Sequence, residues 1–149
     1  MGAAPRFEIR DAVPADRGAI VSLDEVAAVE AARIAFIERS IRSAVCLVAV
    51  RDDRVVGYGV LEYTFFDNGF VSMVSVAASA RRQGVGRGLL EALAARCTTP
   101  KLFTSTNESN RPMQRLLEGL GYVPSGVVEN LDPGDPELFY FFDLGQYAG

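Results

Sequence analysis

Residues 70–90 read Phe-Val-Ser-Met-Val-Ser-Val-Ala-Ala-Ser-Ala-Arg-Arg-Gln-Gly-Val-Gly-Arg-Gly-Leu-Leu. An apolar, β-branched run leads into a basic, glycine-rich turn, and a helical pattern starts inside that turn. Such a junction gathers free backbone N–H groups, the positive end of a helix dipole and three arginines, Arg81, Arg82 and Arg87. That chemistry suits a phosphorylated ligand. Gly84, Gly86 and Gly88 give G-x-G-x-G, not the dinucleotide G-x-G-x-x-G, because position 89 is Leu. The dinucleotide fingerprint also belongs in an early βαβ unit, whereas this turn follows a run of hairpins. A P-loop fails as well, because no Gly-Lys-Ser/Thr follows.

Other residue types narrow the chemistry further. There is no histidine, which removes His-based acid–base catalysis, Ser-His-Asp triads and nearly all zinc sites, so no metal is expected. Cys46 and Cys97 have no metal-like spacing and read as two buried free thiols in a reducing cytosol. A net charge of −4 gives no support to a nucleic-acid partner. No apolar run is long enough to span a membrane. The start, Met-Gly-Ala-Ala-Pro-Arg, lacks a secretory h-region and the Ser or Thr that myristoylation needs at position 6. The expected location is the cytoplasm. At 149 residues, with 49% apolar and 23% charged, residues 1–149 are expected to form one domain.

The elements that must position the turn follow from periodicity and turn residues. Arg6–Arg10 reads as a strand, Ala15–Leu23 as a short helix, and Glu25–Arg42 as a helix with Ile34, Ile37 and Ile41 on one face. Val45–Val50 and Val55–Tyr63 are strands joined by an Asp52–Asp53 hairpin turn. Asp67-Asn68-Gly69 signals a second hairpin leading to the strand Phe70–Val76. Gly84–Cys97 is a helix facing Leu89, Leu90, Leu93 and Cys97 inward, and Lys101–Thr106 is a strand. Asn110–Leu120 is a helix with Met113, Leu116, Leu117 and Leu120 as its stripe, Ser109 or Asn110 as its cap and Gly121 at its end. Tyr122–Val128 and Leu138–Leu144 close the chain as strands. Hairpins early and crossover helices late imply an α/β (α+β) fold. Its mixed, mostly antiparallel sheet has about seven strands flanked by about four helices.

The segment Val76–Leu90 resembles motif A of the GNAT N-acetyltransferase superfamily, whose core, Arg/Gln-x-x-Gly-x-Gly/Ala, is met by Arg81, Gly84 and Gly86. The stretch Asn110–Tyr122 resembles motif B, in which an Asn opens a helix that ends in Gly-Phe/Tyr, here Gly121-Tyr122. The order of elements is also the family's. The resemblance implies that Arg82, Gln83, Gly84, Val85, Gly86 and Arg87 form a loop for the pyrophosphate of acetyl-CoA. It places Val74, Ser75 and Val76 on the strand end that pairs with the pantetheine arm, splayed by a bulge from Lys101–Thr106. It gives the backbone N–H of Val74 the oxyanion role, and Asn110 a contact with the coenzyme arm beside its helix-capping role.

The pattern also departs from the family's. Many members carry an acid Tyr seven residues after the motif B Asn, and some a Glu base five residues before it; these positions hold Leu117 and Ser105. Tyr63, Tyr122 and Tyr140 are alternative acids. Tyr122 and Tyr140 read as core or edge aromatics, which leaves Tyr63, at a strand end beside a hairpin, as the candidate. A thiol leaves as a thiolate without much help, so the base matters more than the acid. Deprotonating a Lys-like amine at neutral pH costs roughly 4–5 kcal/mol, against about 1 kcal/mol for an α-amine. The expectation is a low-pKa amine, or one deprotonated through water by Glu62, Tyr63, Ser72 or Ser105.

The acceptor side is legible only in outline. Glu129-Asn-Leu-Asp-Pro-Gly-Asp-Pro-Glu137 puts four acids in one loop, either steering a cationic amine or forming a solvated, Pro-stiffened turn. Three functions compete: an acetyl-CoA-dependent N-acetyltransferase acting on a small-molecule or peptide amine by direct attack in a ternary complex, a non-catalytic acyl-CoA-binding or regulatory module, and a nicotinamide-dependent oxidoreductase. The failed dinucleotide fingerprint disfavours the third. Direct attack follows because Cys46, in a strand pattern, and Cys97, at a helix end, do not read as acyl carriers. The run Phe139-Tyr140-Phe141-Phe142 is read either as core or as an exposed edge through which a homodimer forms.

Overall fold

The computed structural model describes residues 6–145. The Met1–Pro5 segment, read above as carrying no leader, lies outside them. The elements in order are β1 (Glu8–Asp11), a 3-10 turn (Pro14–Asp16), α1 (Arg17–Leu23), α2 (Ala31–Ser43), β2 (Val45–Arg51), β3 (Arg54–Phe65) and β4 (Asn68–Val76). A second 3-10 turn (Ala78–Ala80), α3 (Val85–Arg96), β5 (Lys101–Asn107), α4 (Arg111–Gly119), β6 (Val123–Val128) and β7 (Glu137–Asp143) follow. The seven strands form one sheet in the order β1-β2-β3-β4-β5-β7-β6. β4 and β5 are parallel, and the pairs β1/β2, β2/β3, β5/β7 and β6/β7 are antiparallel. The expected fold class and element order are those the chain adopts.

Contacts divide the described chain into two compact units, one running through Leu61 and resuming over Met73–Arg96, the other made of Glu62–Ser72 and Cys97 onward. In the first unit, Ile20, Ile37, Cys46, Val48, Tyr58 and Val60 form a core, with Ile34 and Ile41 packed against it. α3 buries Val85, Leu89, Leu90 and Leu93. It lies close against β3 because Gly57 and Gly59 carry no side chain. A Cβ at Gly57 would stand 2.9 Å from Val85 Cγ1, and one at Gly59 would stand 2.8 Å from Leu93 Cδ1. Those two glycines set the height of the helix that begins at the basic turn.

The helix expected over Glu25–Arg42 begins only at Ala31. Asp24 explains the delay. Its Oδ1 accepts the N–H groups of Val26 (3.0 Å) and Ala27 (3.4 Å), a local turn that competes with helical bonding. The same carboxylate, 3% exposed, accepts Arg33 Nη1 at 2.8 Å and the Tyr58 hydroxyl at 2.5 Å. Burial alone would raise its pKa; the bonds from Tyr58, Arg33 and Val26 outweigh that and hold it below the ordinary carboxylate range. Burial, and then the bond to Asp24, push the Tyr58 phenol upward.

The first hairpin turns at Asp52 and Asp53, both at positive φ, as its sequence implies. The second turns at Phe66 and Asp67, earlier than Asp67-Asn68-Gly69 suggested. Asn68 and Gly69 are already in β4. Asn68 Nδ2 donates to the carbonyls of Phe65 (3.4 Å) and Phe66 (3.1 Å), closing the turn from the strand side. Gly69 serves packing, because a Cβ there would collide with Cys97 Sγ.

In the second unit, Leu102, Thr104, Leu117, Tyr122 and Tyr140 are buried. Thr104 Oγ1 donates to the Val71 carbonyl at 2.8 Å, satisfying a buried hydroxyl. β7 lies between β5 and β6, so the Phe139–Phe142 run is interior to the sheet and is not the exposed edge expected for a dimer. The edge is β6, exposed along its length and protected by Pro124 and a register shift before Val127.

Candidate active site

The basic turn belongs entirely to the first unit. Beyond Val76, the Ala77 N–H donates to the Val56 carbonyl at 2.8 Å and fixes the turn's start to β3. Ala80 is fully buried as its pivot. Arg82 (φ 62°) and Gly84 (φ 84°) adopt the left-handed region, and the chain then enters α3 at Val85. The N–H of Gly88 donates to the Gly84 carbonyl at 2.9 Å, so the N–H groups of Val85, Gly86 and Arg87 precede the helical ladder and have no acceptor within it. A Cβ added at Gly84 would meet open space. Gly88 does different work: its Cβ would stand 2.9 Å from the Phe7 ring, so the third glycine of the motif serves packing.

The arginines divide by role. Arg81 turns back on the loop, its Nε donating to the Val76 carbonyl at 3.2 Å and its Nη2 lying 3.7 Å from Glu25. Arg87 pairs loosely with Glu91 at 3.6 Å on the exposed helix face. Gln83, expected at the ligand, uses its side chain to brace the turn. Its Nε2 donates to the Ser79 carbonyl at 3.2 Å, and its Oε1 accepts from Arg51 Nη1. Arg51, the last residue of β2, was not legible as part of this loop: 32 residues separate it from Gln83, and no local pattern marks it.

Val74, Ser75 and Val76 are half-buried at the end of β4 and continuous with the turn. The parallel ladder with β5 covers Gly69–Val71 against Leu102–Thr104 and stops there, while β4 runs on to Val76. One strand–turn–helix thus brings together Val74–Val76 and Arg82–Arg87.

Asn110 and Tyr63 belong to the second unit. Asn110 caps α4, its Oδ1 accepting the Met113 N–H at 3.2 Å. The Tyr63 hydroxyl accepts the Thr98 N–H at 3.1 Å. Tyr122 is buried, its hydroxyl has no hydrogen-bond partner among the described residues, and burial pushes its pKa up to about 12. Burial also raises that of Tyr140. Both are core aromatics, and Leu117 is fully buried. Ser105 Oγ donates to Glu137 Oε2 at 2.7 Å. Two further acids of the loop before β7 serve structure: Asp132 accepts Asn107 Nδ2 at 2.9 Å, and Asp135 accepts the Ser109 hydroxyl at 2.6 Å and its N–H at 3.0 Å. Cys46 is a free thiol that burial pushes up to about 12. Cys97 is free and only half-buried, with its sulfur 3.3 Å from Thr99 Oγ1, so the expectation of two buried thiols holds for Cys46 alone.

Among curated proteins no sequence match is found. A crystal structure of a GNAT-family acetyltransferase from Bacillus cereus ATCC 10987 is 34% identical, with a TM-score of 0.86, over 92% of this chain and 96% of that one. The yncA structure from Salmonella typhimurium, solved with its cofactor acetyl-CoA, is 22% identical with a TM-score of 0.78, covering 97% of each chain. A ribosomal-protein-alanine N-acetyltransferase from Brucella melitensis is 24% identical with a TM-score of 0.77, over 92% of this chain and 99% of that one. The family model "Acetyltransferase (GNAT) family" matches residues 16–122. That span takes in the whole strand–turn–helix with its open glycine turn, and the chain belongs to the GNAT family of acetyltransferases.

Proposed function

We propose that this acetyltransferase moves an acetyl group from acetyl-CoA to a primary amine of a small molecule or peptide, residues 1–149 working as one catalytic domain. The observation that carries the reading is the open, basic turn at Gly84. Its unladdered N–H groups at Val85, Gly86 and Arg87 fit a pyrophosphate, and nothing fills the space where a Cβ of residue 84 would stand. Bound acetyl-CoA supplies an activated thioester. Arg82, Gln83 and Arg87 complete the phosphate loop, Val74–Val76 offer main-chain groups to the pantetheine arm, and the Val74 N–H is the oxyanion donor. Asn110 contacts the coenzyme arm while capping α4, and Tyr63 is the candidate acid.

The acceptor attacks directly in a ternary complex. Cys46 holds its proton too tightly to serve as an acyl carrier, and Cys97 is engaged beside Thr99. Family membership supports catalysis over a non-catalytic acyl-CoA-binding module. Among the described residues no helix is long and apolar enough to cross a membrane, and both cysteines are free, in keeping with a cytoplasmic enzyme.

The test follows thiol release from acetyl-CoA with a panel of primary amines, the products being weighed by mass spectrometry. Amine-dependent release by the wild type and its loss in Gly84→Glu are expected. Intact acetyl-CoA binding with no release for any amine would overturn the reading in favour of a binding module.

A further inference from the structure

We propose that the aromatic sheet face of the second unit, with Glu137 at its margin, holds the acceptor, and that the acceptor is an α-amine carried on an apolar or aromatic body. This rests on the transferase reading above and names its substrate class.

Alternation and register assemble the face. On β5, Leu102, Thr104 and Thr106 are buried while Phe103, Ser105 and Asn107 are half-exposed. The ladder pairs Phe103 with Phe141, Ser105 with Phe139 and Asn107 with Glu137, so these residues share one face. Phe70 of β4 pairs with Phe103 and joins the same face. The rings are continuous: Phe65 lies 5.0 Å from Phe70, 5.1 Å from Phe103 and 5.6 Å from Phe139, and Phe103 lies 5.3 Å from Phe141, centroid to centroid. All five of these rings are half-buried, whereas Tyr122 and Tyr140 elsewhere in the unit are buried. Phe66 extends the face at the hairpin tip, 83% exposed and in the left-handed region.

Polar groups at the margin say what covers the rings. Glu137 is half-buried and accepts a single hydroxyl, that of Ser105; among the described residues no arginine or lysine pairs with it. Ser72, two residues after Phe70 and so on its face of β4, has a buried hydroxyl with no partner among the described residues. A carboxylate without a counter-ion and an orphaned hydroxyl beside half-buried aromatic rings complement an ammonium with a neighbouring polar group and an apolar body. An anionic acceptor is repelled, and a small hydrophilic amine leaves the rings uncovered. α-Amines also require the least deprotonation near neutral pH, which suits a site where position 105 is Ser.

The test compares L-phenylalaninamide with glycinamide as acceptors, which share the α-amine and differ in the apolar body. The expected kcat/KM ratio is about tenfold to a hundredfold in favour of L-phenylalaninamide. Glu137→Gln raises KM for both amines while acetyl-CoA affinity, measured by calorimetry, is retained. Phe139→Leu, or Phe141→Leu should the first not fold, narrows the ratio between the two amines. A ratio near one, or an unchanged KM in Glu137→Gln, overturns the proposal. So does a dimer in sedimentation that Phe139→Leu dissociates, because the face would then belong to a second copy. With acetyl-CoA binding and another amine acetylated, such a failure leaves the transferase reading standing; with no acetyl-CoA binding, both fall.

Discussion

Arg51 and Gln83 show how a side chain at a distant strand end can brace a turn. Gln83 has both ends of its carboxamide engaged, by Arg51 and by the Ser79 carbonyl, so in the proposed phosphate loop only its backbone is left to meet the ligand. Removing the Arg51 guanidinium forfeits a hydrogen bond of about 1 kcal/mol and loosens the turn, which predicts a KM for acetyl-CoA raised about fivefold with kcat little changed. Arg51→Ala combined with Gln83→Ala is expected to cost no more than Gln83→Ala alone, which already loses both bonds, and steady-state kinetics of the three variants checks this. Full additivity would show that the two side chains act separately. The glycines and arginines of 81–88 were legible because they are neighbours in the chain and their chemistry is local. Arg51 and the Ser105–Glu137 pair were not, because the β5/β7 register creates one contact and the folding of the turn against the end of β2 creates the other. No one-dimensional pattern carried either.

At the scale of elements, departures from the sequence reading arise where a side chain outbids the backbone. The α2 stripe of Ile34, Ile37 and Ile41 was correctly legible, but its start was displaced because Asp24 binds the N–H groups of Val26 and Ala27 and is then clamped by Arg33 and Tyr58. The Asp24 carboxyl lies below its ordinary value of 3.8 in the folded chain, so the unfolded chain binds more protons as pH falls. Its contribution is therefore present at neutral pH and is lost as pH drops below that value toward the folded pKa. Asp24→Asn is expected to cost about 3 kcal/mol at neutral pH. Urea denaturation should show that deficit shrinking in acid; a deficit independent of pH would contradict the assignment. In α4 the helical stripe was legible and Leu117 is its buried centre. Leu117→Ala should lower stability by about 2–5 kcal/mol in the same assay and leave kcat unchanged well below the unfolding transition. A fall in kcat there would give position 117 a catalytic part that packing does not explain.

At the scale of the molecule, the order of elements was legible because hairpins and crossover helices leave different signatures in the chain. The placement of β7 inside the sheet was not, because an aromatic strand reads alike at an edge and between two partners. In a chain of net charge −4, the proposed anion site is where a helix begins among Arg81, Arg82 and Arg87. Calorimetric titration of the wild-type protein and of Gly84→Glu with acetyl-CoA tests that account most directly. Saturable binding by the wild type, lost when a carboxylate occupies the open space at residue 84, is the predicted result. No binding by the wild type, or equal binding by the variant, would contradict it.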